Sequence, residues 1–101
     1  MFPARRDKNE KPIVKALRQV GASVEYLTGT GIPDLLVGYR GVTYLIEIKG
    51  EHGKAESHGK KTESGLRDTQ ERWWKAWQGA QPVVATNSEE ALKAIGVELL
   101  V

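Results

Sequence analysis

Apolar residues recur at the spacing of an amphipathic helix between residues 10 and 20. The residues that carry this pattern are Ile13, Val14, Leu17 and Val20. We predict a helix over this range, because residues three and four positions apart share one helix face. Asn9 is the expected N-cap, which puts Pro12 in the first turn, where its missing N–H costs nothing. Gly21 is the expected stop.

Short apolar segments that are bounded by glycine and proline predict strands. They are residues 24–28, 34–38, 43–49 and 82–86, with a possible further strand over residues 97–101. Arg40 and Gly41 form the expected two-residue loop of a hairpin between the second and third strands. The glycines of residues 29–33 predict a turn whose backbone can approach a ligand closely.

Two further helices are predicted in the second half of the chain. One has Asp68 and Glu71 at capping-box spacing and Gly79 as its stop, and the other covers residues 88–95. One face of the first of these helices carries Gln70, Trp73, Trp74 and Trp77. We interpret the three tryptophans as core or subunit contact rather than as base-stacking platforms.

The order α-β-β-β-α-β-α predicts an α/β fold with a mixed central sheet flanked by helices on both faces. Residues 50–65 have no apolar periodicity and are expected to form a flexible loop. This loop is either an ordinary surface loop or an arm that folds onto a phosphate backbone through Lys54, Lys60 and Lys61. His52 and His58 are interpreted as surface residues, because neither has a partner at metal-ligand spacing.

The simplest hairpin register places two carboxylates face to face. If Arg40 and Gly41 form the loop, Asp34 lies opposite Glu47, with Cβ atoms roughly 4.5 to 5.5 Å apart. Like charges so placed are destabilising, and a cation would remove the penalty. Lys49 lies on the same face, one step beyond Glu47. This arrangement is typical of a divalent-metal hydrolytic site, although a solvated hairpin face remains the plain alternative.

Length and composition narrow the possible classes. A chain of 101 residues is a single domain, and 40% hydrophobic with 28% charged residues is typical of a globular protein. The sequence contains no cysteine, which excludes disulfides and thiol catalysis, and no apolar run long enough to cross a bilayer. The N-terminus does not resemble a secretory signal, so we expect a cytoplasmic protein. A net charge of +2 permits nucleic-acid binding without requiring it.

The motifs resemble those of a known nuclease superfamily. Ile32-Pro33-Asp34 followed by Glu47-Ile48-Lys49 resembles the Pro-Asp…(Asp/Glu)-x-Lys signature of restriction-endonuclease-like nucleases. The chain is most similar to the small stand-alone VRR-Nuc type. That similarity also includes Glu10, Gly31, Gln70 at the start of a helix and Ser88-Glu89-Glu90 at the start of the last helix. One departure is Arg67, at a position where relatives commonly have Ser or Thr.

The resemblance implies a role for each of these residues. Asp34, Glu47 and the backbone carbonyl of Ile48 would bind Mg²⁺ or Mn²⁺, and Glu10 would reach the site through a metal-bound water or a second metal. Lys49 would orient the attacking water and stabilise charge on the phosphate. Gln70 would hydrogen-bond the phosphate or the water.

The leading hypothesis is therefore a metal-dependent DNA endonuclease, active as a homodimer on branched DNA such as four-way junctions. If the chain is phage-encoded, as such relatives often are, it would act in the host cytoplasm. One alternative is a nucleic-acid-binding module of the same fold without catalysis. Another is a subunit of a larger assembly that docks through its tryptophan helix.

Overall fold

The computed structural model describes residues 8–50 and 60–98, with the backbone alone for residues 60–67. Within these ranges the elements follow the predicted order α-β-β-β-α-β-α. The helices are α1 (Glu10–Gln19), α2 (Lys60–Ala76) and α3 (Ser88–Ala94). The strands are β1 (Ser23–Tyr26), β2 (Leu35–Tyr39), β3 (Val42–Ile48) and β4 (Val83–Ala85).

The strands form a mixed sheet in the order β1-β2-β3-β4. Strands β1 and β3 each run antiparallel to β2, whereas β4 is parallel to β3. A parallel pair needs a long crossover, and here the crossover contains α2. The predicted α/β class with a mixed sheet and helices is thus confirmed.

Helices α1 and α3 pack together over one face of the sheet. Their buried side chains meet strand residues that point to the same face, since side chains alternate along a strand. This core consists of Ile13, Val14, Leu17, Ala22, Val24, Leu35, Val37, Ile46, Ile48, Ala85, Ala91 and Ile95. The stripe predicted for α1 is therefore a true core face, except that Val20 is only partly buried against it.

The opposite face of the sheet is less completely covered. Leu36 and Val84 lie on it and remain 36% and 46% exposed. Helix α2 approaches this face through Gln70, which contacts Glu47. The expectation of a sheet covered on both faces is thus met fully on the α1–α3 side and only in part on the other.

The chain around α2 differs from the sequence prediction. The loop expected over residues 50–65 ends earlier than predicted, because α2 already begins at Lys60. Asp68 consequently lies well inside the helix and does not cap it. Few apolar residues precede Leu66, so the first turns carry little of the periodicity on which the prediction depended.

The two ends of the described chain also differ from the prediction. Asn9 adopts helical backbone angles, φ −79° and ψ −3°, and its side chain makes no N-cap hydrogen bond. Val97 and Glu98 form no strand, and the rest of the possible strand over residues 97–101 lies outside the described residues. The expected stop at Gly21 is confirmed, with φ +97° and the Gly21 N–H bonded to the Arg18 carbonyl.

Candidate functional site

The predicted hairpin register is present in the structure. Leu35 pairs with Ile46 and Tyr39 with Val42, so Arg40 and Gly41 form a two-residue loop. Both loop residues have positive φ, +50° and +82°, as a type I′ turn requires. The regular ladder ends at Leu35 and Ile46, and the Asp34 N–H also donates to the Ile46 carbonyl, one residue out of this register. The pairing of Asp34 with Glu47 therefore stays a prediction.

Asp34 is held by three hydrogen bonds at the beginning of β2. Its N–H donates to the Ile46 carbonyl at 3.1 Å, and its own carbonyl accepts from Leu27 at 2.9 Å. Its carboxylate Oδ2 accepts the N–H of Ile48 at 2.8 Å. In a regular antiparallel ladder the carbonyl of Pro33 would face that N–H, so the Asp34 side chain takes over from a backbone acceptor. The carboxylate is thereby fixed against β3.

Ile48 joins the hydrophobic core and the candidate site. Its side chain is buried, while its N–H points toward Asp34. Lys49, the next residue, points its N–H the other way and donates to the Ala85 carbonyl of β4 at 3.1 Å. Because backbone groups alternate along a strand, the carbonyl of Ile48 faces the Asp34 side, where the resemblance requires a ligand.

Glu47 is a buried carboxylate that helix α2 reaches directly. It is 8% exposed, and its Oε2 accepts a hydrogen bond from Gln70 Nε2 at 2.8 Å. Burying a charged group is costly unless hydrogen bonds or a cation compensate. The Gln70 amide thus orients a carboxylate, whereas the resemblance assigned it to the phosphate or the attacking water. Gln70 also lies within α2 rather than at its start.

A close backbone contact seats α2 against the turn that precedes β2. Gly31 has φ +85°, and a Cβ atom there would lie 2.8 Å from the Thr69 carbonyl oxygen. Only glycine allows this approach without displacement of the helix. Since Thr69 directly precedes Gln70, the contact determines where the Gln70 amide meets Glu47.

Lys49 follows the two acids on β3. It directly follows the last residue of the strand, and the alternation of side chains places it on the same face as Glu47. Its backbone is held on both sides: the N–H bonds to Ala85, and the carbonyl accepts from Asn9 Nδ2 at 2.7 Å. The predicted convergence of two acids and an amine is therefore consistent with the strand geometry.

Glu10 is the third acid that the resemblance assigns to the site. It is the first residue of α1 and is only 5% exposed. Among the side chains that the structure describes, those of residues 8–50 and 68–98, no group of three or more histidine or acidic residues is arranged to hold a metal ion. A role for Glu10 through a metal-bound water or a second metal stays a prediction. The direct donor set is Asp34, Glu47 and the Ile48 carbonyl.

This smaller donor set suits a hard divalent cation. All three candidate donors are oxygens, and Mg²⁺ is usually held by one or two carboxylates with water completing its coordination. Neither cysteine nor a described histidine lies among them, which disfavours softer metals. The residues present thus fit Mg²⁺ or Mn²⁺.

The predicted basic contacts are only partly described. Lys54 lies outside the described residues, as do His52 and His58. Lys60 and Lys61 form the start of α2 rather than part of a loop. Their contact with nucleic acid stays a prediction.

The tryptophans of α2 form a partly exposed aromatic surface. The rings of Trp73 and Trp77 stack with centroids 4.9 Å apart, and Trp77 is 39% exposed. Trp74 Nε1 is buried and finds no hydrogen-bond acceptor among the described residues. Glu71, Arg72 and Lys75 of the same helix are exposed, whereas Trp73 and Trp74 are partly buried.

Comparison with protein-family models, with curated proteins and with solved structures finds no match to this chain. The similarity to VRR-Nuc nucleases therefore stays a prediction from the motifs. In addition, none of the described helices combines the length and apolar character that a membrane crossing requires.

Proposed function

We propose that this chain is a metal-dependent DNA endonuclease. The observation that carries the proposal is the hydrogen bond from the Ile48 N–H to the Asp34 carboxylate, which brings this acid beside β3 between Glu47 and Lys49. Glu47 and Lys49 share a face of the strand by the alternation of side chains. A protein that only bound nucleic acid would gain nothing from two acids in its groove, because they repel the phosphates unless a cation is present. A hydrolytic site needs both the acids and the amine.

Each residue of the site has a distinct task in the proposed reaction. Asp34, Glu47 and the Ile48 carbonyl would hold Mg²⁺ or Mn²⁺, which when bound polarises a phosphate and lowers the pKa of water. Gln70 keeps the Glu47 carboxylate in one orientation through its Nε2. Lys49 orients the attacking water and stabilises the negative charge that develops on the phosphate.

The proposed reaction is hydrolysis of one phosphodiester bond. The water oxygen forms a bond to phosphorus, and the bond from phosphorus to the 3′ oxygen breaks. A proton from water ends on the 3′ oxygen, so the products are a 3′-hydroxyl and a 5′-phosphate. We further propose a homodimer acting on branched DNA, because twofold pairing presents two identical sites to a symmetric four-way junction. The exposed Trp77 is the candidate contact for the dimer.

A cleavage assay tests the proposal. The purified protein is incubated with duplex, flap and four-way-junction DNA in Mg²⁺, Mn²⁺ or EDTA, beside Lys49→Ala. Lys93→Ala, which removes an exposed lysine from α3, serves as the matched control. We expect metal-dependent cutting that falls at least about 100-fold in Lys49→Ala, in line with the loss of one charge-stabilising group. Binding in Ca²⁺ should survive, and Lys93→Ala should cut normally.

The other outcomes favour the alternative functions. Equal cutting in EDTA would contradict the metal mechanism. Binding of DNA without cutting in any metal would favour the binding module, and neither binding nor cutting would favour the assembly subunit. Sedimentation equilibrium of the same preparation reports whether the chain is a dimer.

A further inference from the structure

Asn9 connects the ends of two strands instead of capping its own helix. Its Nδ2 donates to the Lys49 carbonyl and to the Thr86 carbonyl, both at 2.7 Å. These partners lie 40 and 77 residues away along the chain. Since both partners are carbonyls, which only accept, the nitrogen and not the oxygen of the amide must face them.

The bond to Lys49 acts directly beside the candidate site. The Lys49 N–H is already held by the Ala85 carbonyl, so Asn9 fixes the second backbone group of the same residue. With both groups held, the direction in which the Lys49 side chain leaves the backbone is determined. Asn9 also directly precedes Glu10, and it therefore ties the start of α1 to the end of β3.

The two hydrogen bonds donated by Asn9 Nδ2 are called the clamp below. The bond to the Thr86 carbonyl extends this clamp to α3. Thr86 donates its N–H and its hydroxyl to Glu90 Oε1 at 2.7 and 2.8 Å, and Glu90 in turn donates its N–H to Asn87 Oδ1. The Thr86 carbonyl is therefore a fixed acceptor rather than part of a free loop. The position of Lys49 thus depends on the start of α1 and on the start of α3.

We propose that Asn9 is a positioning residue for Lys49. The inference rests on the proposed nuclease function and adds to it a residue that touches neither DNA nor metal. Mutation of a residue that orients a site residue in this way typically lowers activity 10- to 100-fold. A small misplacement of the amine is enough for a loss of this size.

The chain contains a matched control for the test. Asn9 uses its amide nitrogen, whereas Asn87 uses its oxygen to cap α3. Asn→Asp replaces the amide nitrogen with an oxygen and adds a negative charge, so Asn9→Asp breaks the clamp, while Asn87→Asp keeps an N-cap of equal quality. Asn9→Ala is the second variant, because it removes the donor without placing a carboxylate against two carbonyls.

We expect kcat for DNA cleavage to fall about 10- to 100-fold in both Asn9 variants, with KM for DNA within about twofold of wild type. Asn87→Asp should stay near wild type in both constants. The amide resonance of Gly50, which shares a peptide group with the Lys49 carbonyl, should shift in the Asn9 variants only. If Asn9→Asp does not fold, as judged by circular dichroism, Asn9→Ala decides.

Two results would overturn the inference. One is a normal kcat in Asn9→Ala despite a shifted Gly50 resonance, and the other is an unshifted Gly50 resonance. Wild-type protein that cuts no DNA in Mg²⁺ or Mn²⁺ would instead overturn the nuclease proposal, and the Gly50 resonance would still report whether the clamp exists.

Discussion

At the scale of single residues, Asp34 has both a structural and a chemical role. Its carboxylate replaces a backbone acceptor for Ile48 N–H, because the strand begins after Pro33 and the regular ladder ends there. The same carboxylate contacts the backbone of Ile48, the residue that follows the buried Glu47. One side chain therefore satisfies the backbone while it brings a second negative charge to the site.

Asp34→Asn separates these two roles. Asparagine can still accept the Ile48 N–H through its side-chain oxygen, but it carries no charge opposite Glu47. Without metal, we expect a free energy of unfolding equal to wild type or higher by up to about 1 kcal/mol, as relief of cross-strand repulsion implies. Urea unfolding in EDTA measures this difference. Titration calorimetry with Mn²⁺ should show weaker binding than in wild type.

Glu25→Gln is the control for Asp34→Asn, because it neutralises an exposed acid on the neighbouring strand β1. It should change neither the stability in EDTA nor the affinity for Mn²⁺ appreciably. A loss of several kcal/mol in metal-free Asp34→Asn would show that the carboxylate charge stabilises the hairpin, contrary to the repulsion argument.

At the scale of elements, the position of helix α2 against the turn before β2 depends on Gly31. Gly31→Ala adds a Cβ atom 2.8 Å from the Thr69 carbonyl oxygen and 2.9 Å from Thr69 Cγ2. The positive φ alone costs about 1–2 kcal/mol, and overpacking typically adds about 1–3 kcal/mol. We expect both costs to lower the free energy of unfolding of Gly31→Ala, as measured by chemical denaturation. The variant should also cut DNA poorly, because Gln70 moves away from Glu47.

Gly21→Ala isolates the first of these contributions. Gly21 has a similar φ, +97°, but no atom lies within 4 Å of the position that its Cβ would take. Its loss of stability should therefore be smaller by at least about 1 kcal/mol. Equal losses in the two variants would show that α2 yields to the added methyl group without cost.

The start of helix α3 contains a carboxylate whose pKa depends on folding. The backbone N–H of Thr86, and then its hydroxyl, donate to the Glu90 carboxylate and lower the pKa of Glu90. A carboxyl whose pKa is lower in the folded state stabilises the fold above its unfolded pKa and loses that contribution as the pH falls through the folded pKa. Stability should therefore fall in the acid range, below the ordinary pKa of glutamate.

Glu90→Gln tests this dependence. Above the ordinary glutamate pKa, the variant should be less stable than wild type by a constant amount, and the difference should shrink as the pH falls below it. Urea unfolding at several pH values measures the difference. Glu89→Gln removes a charge from the same helix turn but not the acceptor of the Thr86 bonds, so it should lack this pattern. A difference for Glu90→Gln that does not change with pH would contradict the assignment.

At the scale of the whole molecule, the two faces of the sheet serve different purposes. Helices α1 and α3 cover one face and form the core with it. Asp34 and Glu47 belong to the other face, where Leu36 and Val84 stay partly exposed. A domain of 101 residues leaves a large share of its surface in water. The proposed DNA substrate would approach from this more open face.

Local patterns in the sequence determined most of the fold and half of the candidate site. The order of the elements, the core stripe of α1 and the register of the hairpin between β2 and β3 follow from periodicity and from a two-residue turn. Such features depend on residues close along the chain or joined by one hairpin. The α/β class and the hairpin register were therefore predictable from the sequence.

The start of α2 was not predictable in the same way. Its first turns lack an apolar stripe, although Glu63 and Arg67 have the spacing of a favourable helix pair. Without burial to signal a helix, the polar segment gives the same pattern as a loop. The sequence prediction therefore placed Gln70 at the start of a helix, whereas the residue lies inside α2.

Only the tertiary structure decided how the site is supported. Asn9 matches an N-cap by its position in the sequence, yet it binds Lys49 and Thr86, which are remote in the chain. Gln70 is assigned by the resemblance to the phosphate or the attacking water, yet its Nε2 donates to Glu47, 23 residues away along the chain. The physical reason is that a side chain's partners depend on which distant strand ends the packed helices meet, and local spacing carries no record of that packing.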